Sequence, residues 1–382
     1  MEFMLIQDAL KLKEGKKVKL RGWIYRIRKL KDKIFLVLRD WSLPVLQCLI
    51  TKQTQGWQEA EKALVESSIE VEGRLAREPR APNGKELKVE KFKLIHGAEP
   101  FPIKQGTSRE VQLDLAHLRL RTKRMQAILF IRNTCFQAFR EYLNKHGFRE
   151  FHTPCLTPGV AEEGPSLFEV KYFDRKMYLT QTWQLYAEAA IFSLGPIYQI
   201  APSFRAEKSK TTRHLAEYWH AELEVPFCNL TELMDLAENL VKYIIKQVLT
   251  RNAAELELLK VKRQELERVI KKKWPRITYR EALKLLSERG VKVNWGKDLR
   301  TLEQEKLVEI FNLPVFVTHF PKEIMAFYKP RDKHDPETAR CFDLIVPGMC
   351  ELIGGSERDE SIEELIKALK KAGEKIDAYK FY

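Results

Sequence analysis

The segment 203–224, SFRAEKSKTTRHLAEYWHAELE, constrains this chain more tightly than any other part of it. Arg205 and Glu207 stand two apart on an apolar run with strand texture, and side chains two apart on a strand share a face. A basic, polar loop (208–213) follows, then a second strand-like run carrying His214, Tyr218, Trp219 and His220. The expectation is a hairpin whose guanidinium and carboxylate face one space beneath a cationic loop. Such a space suits a nucleoside triphosphate: guanidinium for phosphate oxygens, carboxylate for an amino group, an aromatic ring for the base. The same residues also describe a surface hairpin with an ion pair, a common arrangement that contributes little. The residues alone leave both readings open.

At 382 residues, two domains are expected, the larger one with an insertion. Hydrophobic content of 44% and charged content of 31% describe a soluble globular chain with a substantial core. The net charge of +14 (67 Lys and Arg against 53 Asp and Glu) allows a polyanionic partner and, equally, a solvated lysine-rich surface. The six cysteines are scattered, with no CxxC and no His/Cys cluster of zinc spacing. They read as small buried side chains in a reducing compartment. No apolar run approaches a membrane span and no secretion signal opens the chain, so a cytoplasmic protein without membrane contact is expected.

Residues 1–100 read as five short strands (18–25, 34–39, 45–50, 68–76 and 87–94) with a helix at 58–65 between the third and fourth, which fits an OB-fold barrel. The stretch 101–115 reads as a linker. From 116 the texture changes. Long helices are expected at 120–145, 183–194, 230–273 and 363–372, and buried strands at 177–180, 197–201, 315–318, 341–346 and 351–354. A helical insertion is expected over about 250–312. The lysine run that ends the 230–273 helix, 271–273, reads as a solvated helix end.

The FRAE…RHLAEY segment resembles motif 2 of class II aminoacyl-tRNA synthetases, in the wording of the aspartyl/asparaginyl branch, and the resemblance spans most of the chain. GFREFHTP (147–154) resembles motif 1, through which such enzymes dimerise, with Pro154 at its fixed proline. What the resemblance implies is an α+β chain. It would carry an N-terminal OB-fold barrel that binds the anticodon, and an antiparallel catalytic sheet flanked by helices over 116–382. It also implies ATP and Mg2+ as cofactors, a tRNA partner and a homodimer.

The site residues follow by match to the family's motifs. Arg205 would neutralise the α-phosphate of ATP, Glu207 would hold the adenine amino group, Tyr218 would stack on its ring, and Arg213 and His214 would reach the distal phosphates. EEGPSLF (162–168) resembles the loop in which Glu162 binds the α-ammonium, and LTQTWQLYAE (179–188) resembles the amino-acid pocket, with Gln181 and Gln184 as its polar groups. Glu351 and Asp343 match the metal ligands, and Arg358 matches the group that binds the substrate's side-chain carbonyl. In the barrel, Phe35 would stack on a base, Gln47 would bond a base edge and Arg28 would add charge. Some of these residues also have a plainer reading: a satisfied helix end for the glutamines, a surface ion pair for Arg358 and barrel core for Phe35.

The amino acid turns on one position. The aspartate enzymes place a lysine three residues after the second glutamine, where this chain has Ala187 beside Glu188. A carboxylate there would repel aspartate and accept a hydrogen bond from the amide of asparagine. The expected activity is ATP-dependent ligation of asparagine to tRNA(Asn) through an adenylate. The alternatives are an asparagine synthetase related to such a ligase, or an impaired tRNA-binding paralogue. The second gains weight because 379–382 stands where the family's glycine-rich motif 3 is expected to begin.

Overall fold

Strict alternation builds the first unit. In Lys33–Arg39 (β2) and Val45–Thr51 (β3) every second side chain is buried: Ile34, Leu36 and Leu38 on one, Leu46, Cys48 and Ile50 on the other. Each such apolar side chain contributes roughly 1.5–3 kcal/mol when removed from water. With Lys17–Lys29 (β1), Ser68–Arg77 (β4) and Lys85–His96 (β5) these strands close a barrel in the order β1-β2-β3-β5-β4. A register shift between Ile24 and Arg26 bends β1 around the closure. Helix Ile6–Ala9 (α1) is tied down by the Asp40 carboxylate, which accepts from the Ile6 amide at 2.7 Å. Helix Trp57–Lys62 (α2) sits between β3 and β4 in sequence, as expected.

The computed structural model describes residues 2–104, 106–158, 167–206, 215–374 and 376–382. Two compact units emerge, 1–132 with 252–261, and 133–251 with 262–382. After the barrel come two short helices, Arg109–Asp114 (α3) and Ala116–Arg119 (α4), then the long helix Lys123–Lys145 (α5), within which the first unit gives way to the second.

The second unit carries three small sheets. Glu217–Glu224 (β11), Ile197–Phe204 (β10) and Arg149–Glu150 (β6) form one, in the order β11-β10-β6. Leu156–Thr157 (β7), Arg175–Leu179 (β9) and Glu169–Tyr172 (β8) form another. The third runs Arg276–Thr278 (β12), Val315–Thr318 (β13), Cys341–Val346 (β14), Cys350–Ser356 (β15), antiparallel except where β12 meets β13. Gln184–Leu194 (α6) leads into β10, and its buried face packs Trp183 and Ala187 against Ile197. Leu230–Arg251 (α7) covers β13 and β14, where Leu230, Met234 and Ala237 meet Phe316, Phe342 and Leu344. Ile362–Lys371 (α12) opens on a Ser361 cap bonded to the Glu364 amide.

Two expectations over 230–312 are corrected. The single helix expected at 230–273 is three: α7, Ala253–Leu258 (α8) and Arg263–Lys271 (α9). Asn252 leaves the helical region at φ −120°, and Lys260 takes the left-handed conformation at φ 58° that ends a helix. Nor is the insertion expected over about 250–312 wholly helical. Residues 276–278 are strand β12, buttressed by Thr278, whose hydroxyl caps Tyr279–Glu288 (α10) in a reciprocal pair with Glu281; Thr301–Phe311 (α11) then precedes β13. Among the described residues no helix is long and apolar enough to cross a membrane.

Candidate active site

The hairpin β10–β11 supplies one polar face. Its register sets Gln199 opposite Glu222, Ala201 opposite His220 and Ser203 opposite Tyr218, so these side chains share a side with Glu224 and, one step beyond β10, Arg205. The Arg205 amide donates to the Ala216 carbonyl at 3.0 Å, and its guanidinium lies 5.8 Å from the Tyr218 ring centre. Glu207, Arg213 and His214 lie outside the described residues, as does Glu162.

Glu222 anchors the start of α6. Its carboxylate accepts from the Thr182 hydroxyl, from the Trp183 amide at 3.3 Å and from Gln199 Nε2 at 2.9 Å. A carboxylate at a helix N-terminus also meets the positive end of the helix dipole. This anchoring holds Gln181 and Gln184, both buried, at the head of the helix. One turn on, Gln184 Nε2 donates to Glu188 Oε1 at 2.8 Å. Ala187 faces the other way, into the apolar cluster with Trp183 and Ile197. Position 188 therefore presents the charge.

That charge meets Arg358. The guanidinium donates from Nε to Glu188 at 2.6 Å, from Nη2 to Glu224 at 2.5 Å, and from Nη1 to the Ser356 hydroxyl and carbonyl at 2.6 and 3.0 Å. The Tyr328 ring lies 5.0 Å from it, a cation–π distance. The Tyr382 hydroxyl donates to the second oxygen of Glu188. Burial disfavours the Arg358 charge, yet Glu224 and Glu188 outweigh it and push its pKa up. Burial pushes Glu224 up to about 7 against the pull of Arg358, with Glu188 and Glu222 adding to the rise. The sequence expectation of a bare carboxylate at 188 thus becomes a guanidinium clamped between two. Glu222, Glu224 and Tyr328 were missed because nothing in their local sequence marks them. The one available signal was a pair of carboxylates two apart, 222 and 224, which share the polar face of β11.

Two further carboxyls converge nearby. A register shift after Leu344 puts Glu351 opposite Ile345 and on the same side as Asp343, which pairs with Gly354. A Cβ at Gly354 would stand 2.9 Å from Glu351 Oε1, so a side chain there would push that carboxyl aside, and 3.8 Å from Asp343 Oδ1, an ordinary contact. Burial raises the Asp343 carboxyl well above its usual range, and Glu351 adds to this. Solvent reaches Glu351, but protein crowds it on most sides. That burial raises it, while Lys329 and Arg205 pull it back. Among the described residues no group of three His, Cys, Asp or Glu is arranged to enclose a metal ion. The donor set fits a cation held partly by ligands other than protein.

In the barrel the same alternation that buries Leu36 turns its neighbours out. Arg28 pairs with Phe35, and Gln47 lies diagonally from it across β2–β3, opposite Val37, so all three occupy one outer face. Gln47 donates to Glu86 at 3.1 Å, and Lys33 lies 5.8 Å from the Phe35 ring. Phe35 is half-buried, outside the core.

Comparison with known proteins gives the family of both parts of the chain. Residues 18–95 match the OB-fold nucleic acid binding domain family, and residues 108–382 match the family described as tRNA synthetases class II (D, K and N). The asparagine--tRNA ligase of Thermococcus kodakarensis is 41% identical over 372 residues, 97% of this chain and 86% of that protein. The crystal structure of asparaginyl-tRNA synthetase from Pyrococcus horikoshii complexed with asparaginyl-adenylate superposes with a TM-score of 0.94 at 38% identity, covering 100% of this chain and 89% of that one. The Entamoeba histolytica asparaginyl-tRNA synthetase in complex with asparaginyl-adenylate gives 0.87 at 30%, covering 100% and 89%. With 108–382 matched by that family and relatives about 40% identical over nearly its whole length, the chain belongs to the class II tRNA synthetases (D, K and N).

Proposed function

We propose that this chain activates asparagine with ATP and transfers it to tRNA(Asn) through an asparaginyl-adenylate. One observation carries the reading: Arg358 lies between the carboxylates of Glu188 and Glu224. A carboxamide offers an acceptor oxygen and an NH2 donor, and this set answers both, the guanidinium donating and a carboxylate accepting. Aspartate would bring another negative charge beside two carboxylates and is disfavoured. Gln181 and Gln184 bind the rest of the amino acid in this reading, with Glu162 on its α-ammonium.

In the first step an α-carboxylate oxygen of asparagine attacks the α-phosphorus of ATP. A new O–P bond forms, the bond to the bridging β-phosphate oxygen breaks, and pyrophosphate leaves. In the second, a terminal ribose hydroxyl of the tRNA attacks the activated carbonyl and loses its proton, and AMP leaves. No protein nucleophile is needed. Arg205 neutralises charge that builds at the α-phosphate, and Tyr218 stacks on the adenine. Glu207 takes the adenine amino group, and Arg213 and His214 the distal phosphates. Asp343 and Glu351 would hold Mg2+, which when bound supplies charge neutralisation at the phosphates.

Arg28, Phe35 and Gln47 form the anticodon contact, and the segment around Pro154, exposed beside the β6 edge, forms a homodimer contact. The protein works in the cytoplasm. ATP–pyrophosphate exchange tests the reading. Exchange is expected with asparagine, and exchange with aspartate alone would overturn the assignment.

A further inference from the structure

Beneath the asparagine clamp lies a cation that the reaction itself does not use. Lys322, only 9% exposed, sits in a short 3-10 turn, Lys322–Ile324, between β13 and β14. Among the described residues its ammonium makes no ion pair. Instead it donates to three backbone carbonyls of one turn: Ala326 at 3.4 Å, Phe327 at 3.2 Å and Lys329. The turn is closed by the Lys329 amide on the Ala326 carbonyl at 3.2 Å. Three carbonyls aimed at one point would repel one another, and those of Phe327 and Lys329 would lose the Lys322 ammonium as donor; a buried ammonium with three donors matches the set.

The turn carries Tyr328. Its ring faces the Arg358 guanidinium at 5.0 Å, and its carbonyl accepts from the Asp359 amide at 2.8 Å, so it grips the backbone just beyond Arg358 as well as the side chain. Phe327, on the same turn, packs edge-on to Tyr379 and Tyr382, and the Tyr382 hydroxyl reaches Glu188 on the other side of the clamp. We propose that Lys322 is a positioning residue for the amino-acid pocket, holding the 326–329 turn so that Tyr328 fixes Arg358 for the side-chain carboxamide of the substrate. The inference rests on the reading of Arg358 given above. Burial lowers the Lys322 pKa, with Asp359 opposing, as expected for a cation held by dipoles rather than by a carboxylate.

The test compares wild type with Lys322→Met, which keeps the bulk and removes the donors, and Lys322→Arg, which restores a cation. In asparagine-dependent ATP–pyrophosphate exchange, Lys322→Met is expected to raise the KM for asparagine about tenfold, with kcat and the KM for ATP within about twofold, and Lys322→Arg to recover most of the loss. Backbone hydrogen exchange is read in parallel. Peptides covering 325–330 and 356–361 should exchange faster in Lys322→Met, and those of β10 and β11 should not. An equal rise in the KM for ATP, or unchanged asparagine KM with unchanged exchange at 356–361, would overturn the proposal. If wild type shows no asparagine-dependent exchange, the substrate reading falls and positioning is judged on the hydrogen-exchange pattern alone. Should Lys322→Met not fold, Lys322→Gln, which keeps an N–H donor without charge, is read on the same quantities with a smaller rise expected.

Discussion

The barrel and the guanidinium clamp use the same side-chain types in opposite ways. On the barrel, Arg28, Phe35 and Gln47 stand on the outer face of adjacent strands, outside the core, each placed by the alternation of its own strand. In the second unit, Arg358, Glu188 and Glu224 are largely withdrawn from water, and each is placed by contacts with the others across 134 to 170 residues of chain. A surface set can lose one member and keep its fold, because water takes over the lost contacts. A buried set cannot, because each loss leaves a charge unmatched in a medium that solvates it poorly.

The clamp is where this contrast can be broken most sharply. Replacing Arg358 by Met leaves two carboxylates facing each other. We expect asparagine-dependent exchange to fall by about 10³-fold or more and urea unfolding to show a loss of ~3–5 kcal/mol. A variant with native stability would show that the clamp is not structural. Arg205→Ala comes next. It stands at the edge of the hairpin rather than in the core, so adenylate formation should fall by about 10²–10³-fold with stability nearly unchanged. Filter binding should give a tRNA affinity within about twofold of wild type, and parallel losses in both would make Arg205 a structural residue. On the barrel, Phe35→Ala should weaken tRNA binding by about tenfold, the scale of one lost stacked base, while asparagine activation stays at the wild-type rate.

The smallest expected effect sharpens the electrostatic half of the contrast. Burial holds the Glu224 carboxyl near 7 in the folded protein against an ordinary value of 4.5. The native state therefore binds more protons than the unfolded chain between these values, and this group's contribution to stability falls as pH rises from about 4.5 to 7. Glu224→Gln should remove that part of the slope, seen as a smaller stability difference between pH 5 and pH 7.5 in urea titrations than wild type shows. An unchanged slope would mean that Glu224 stays ionised beside Arg358 throughout.

Strand texture in the first hundred residues was legible because each barrel strand buries one face against a single core, so period-2 alternation reports the fold directly. The hairpin at 197–224 was legible for the same reason, and its register delivered Arg205 and Tyr218 to one side. The break at Asn252 was less legible, since one polar residue inside an amphipathic run changes the local pattern little while ending the helix. Strand β12 was hidden because three residues cannot display a period; it exists through its pairing with β13.

What the sequence determined by itself is the periodic part of this protein: a five-stranded barrel, helices with one apolar face, and a hairpin with a guanidinium on its polar side. Local sterics and hydrophobic burial act over a few residues, and those few residues were in view. What only the tertiary structure decided is the company each charge keeps. Glu188 reads in sequence as a bare pocket carboxylate and becomes the partner of Arg358, and Lys322, which nothing in the sequence marks, becomes the buried tie of a turn. The strength of a charge depends on the dielectric and partners around it, and both are brought by segments far away in the chain.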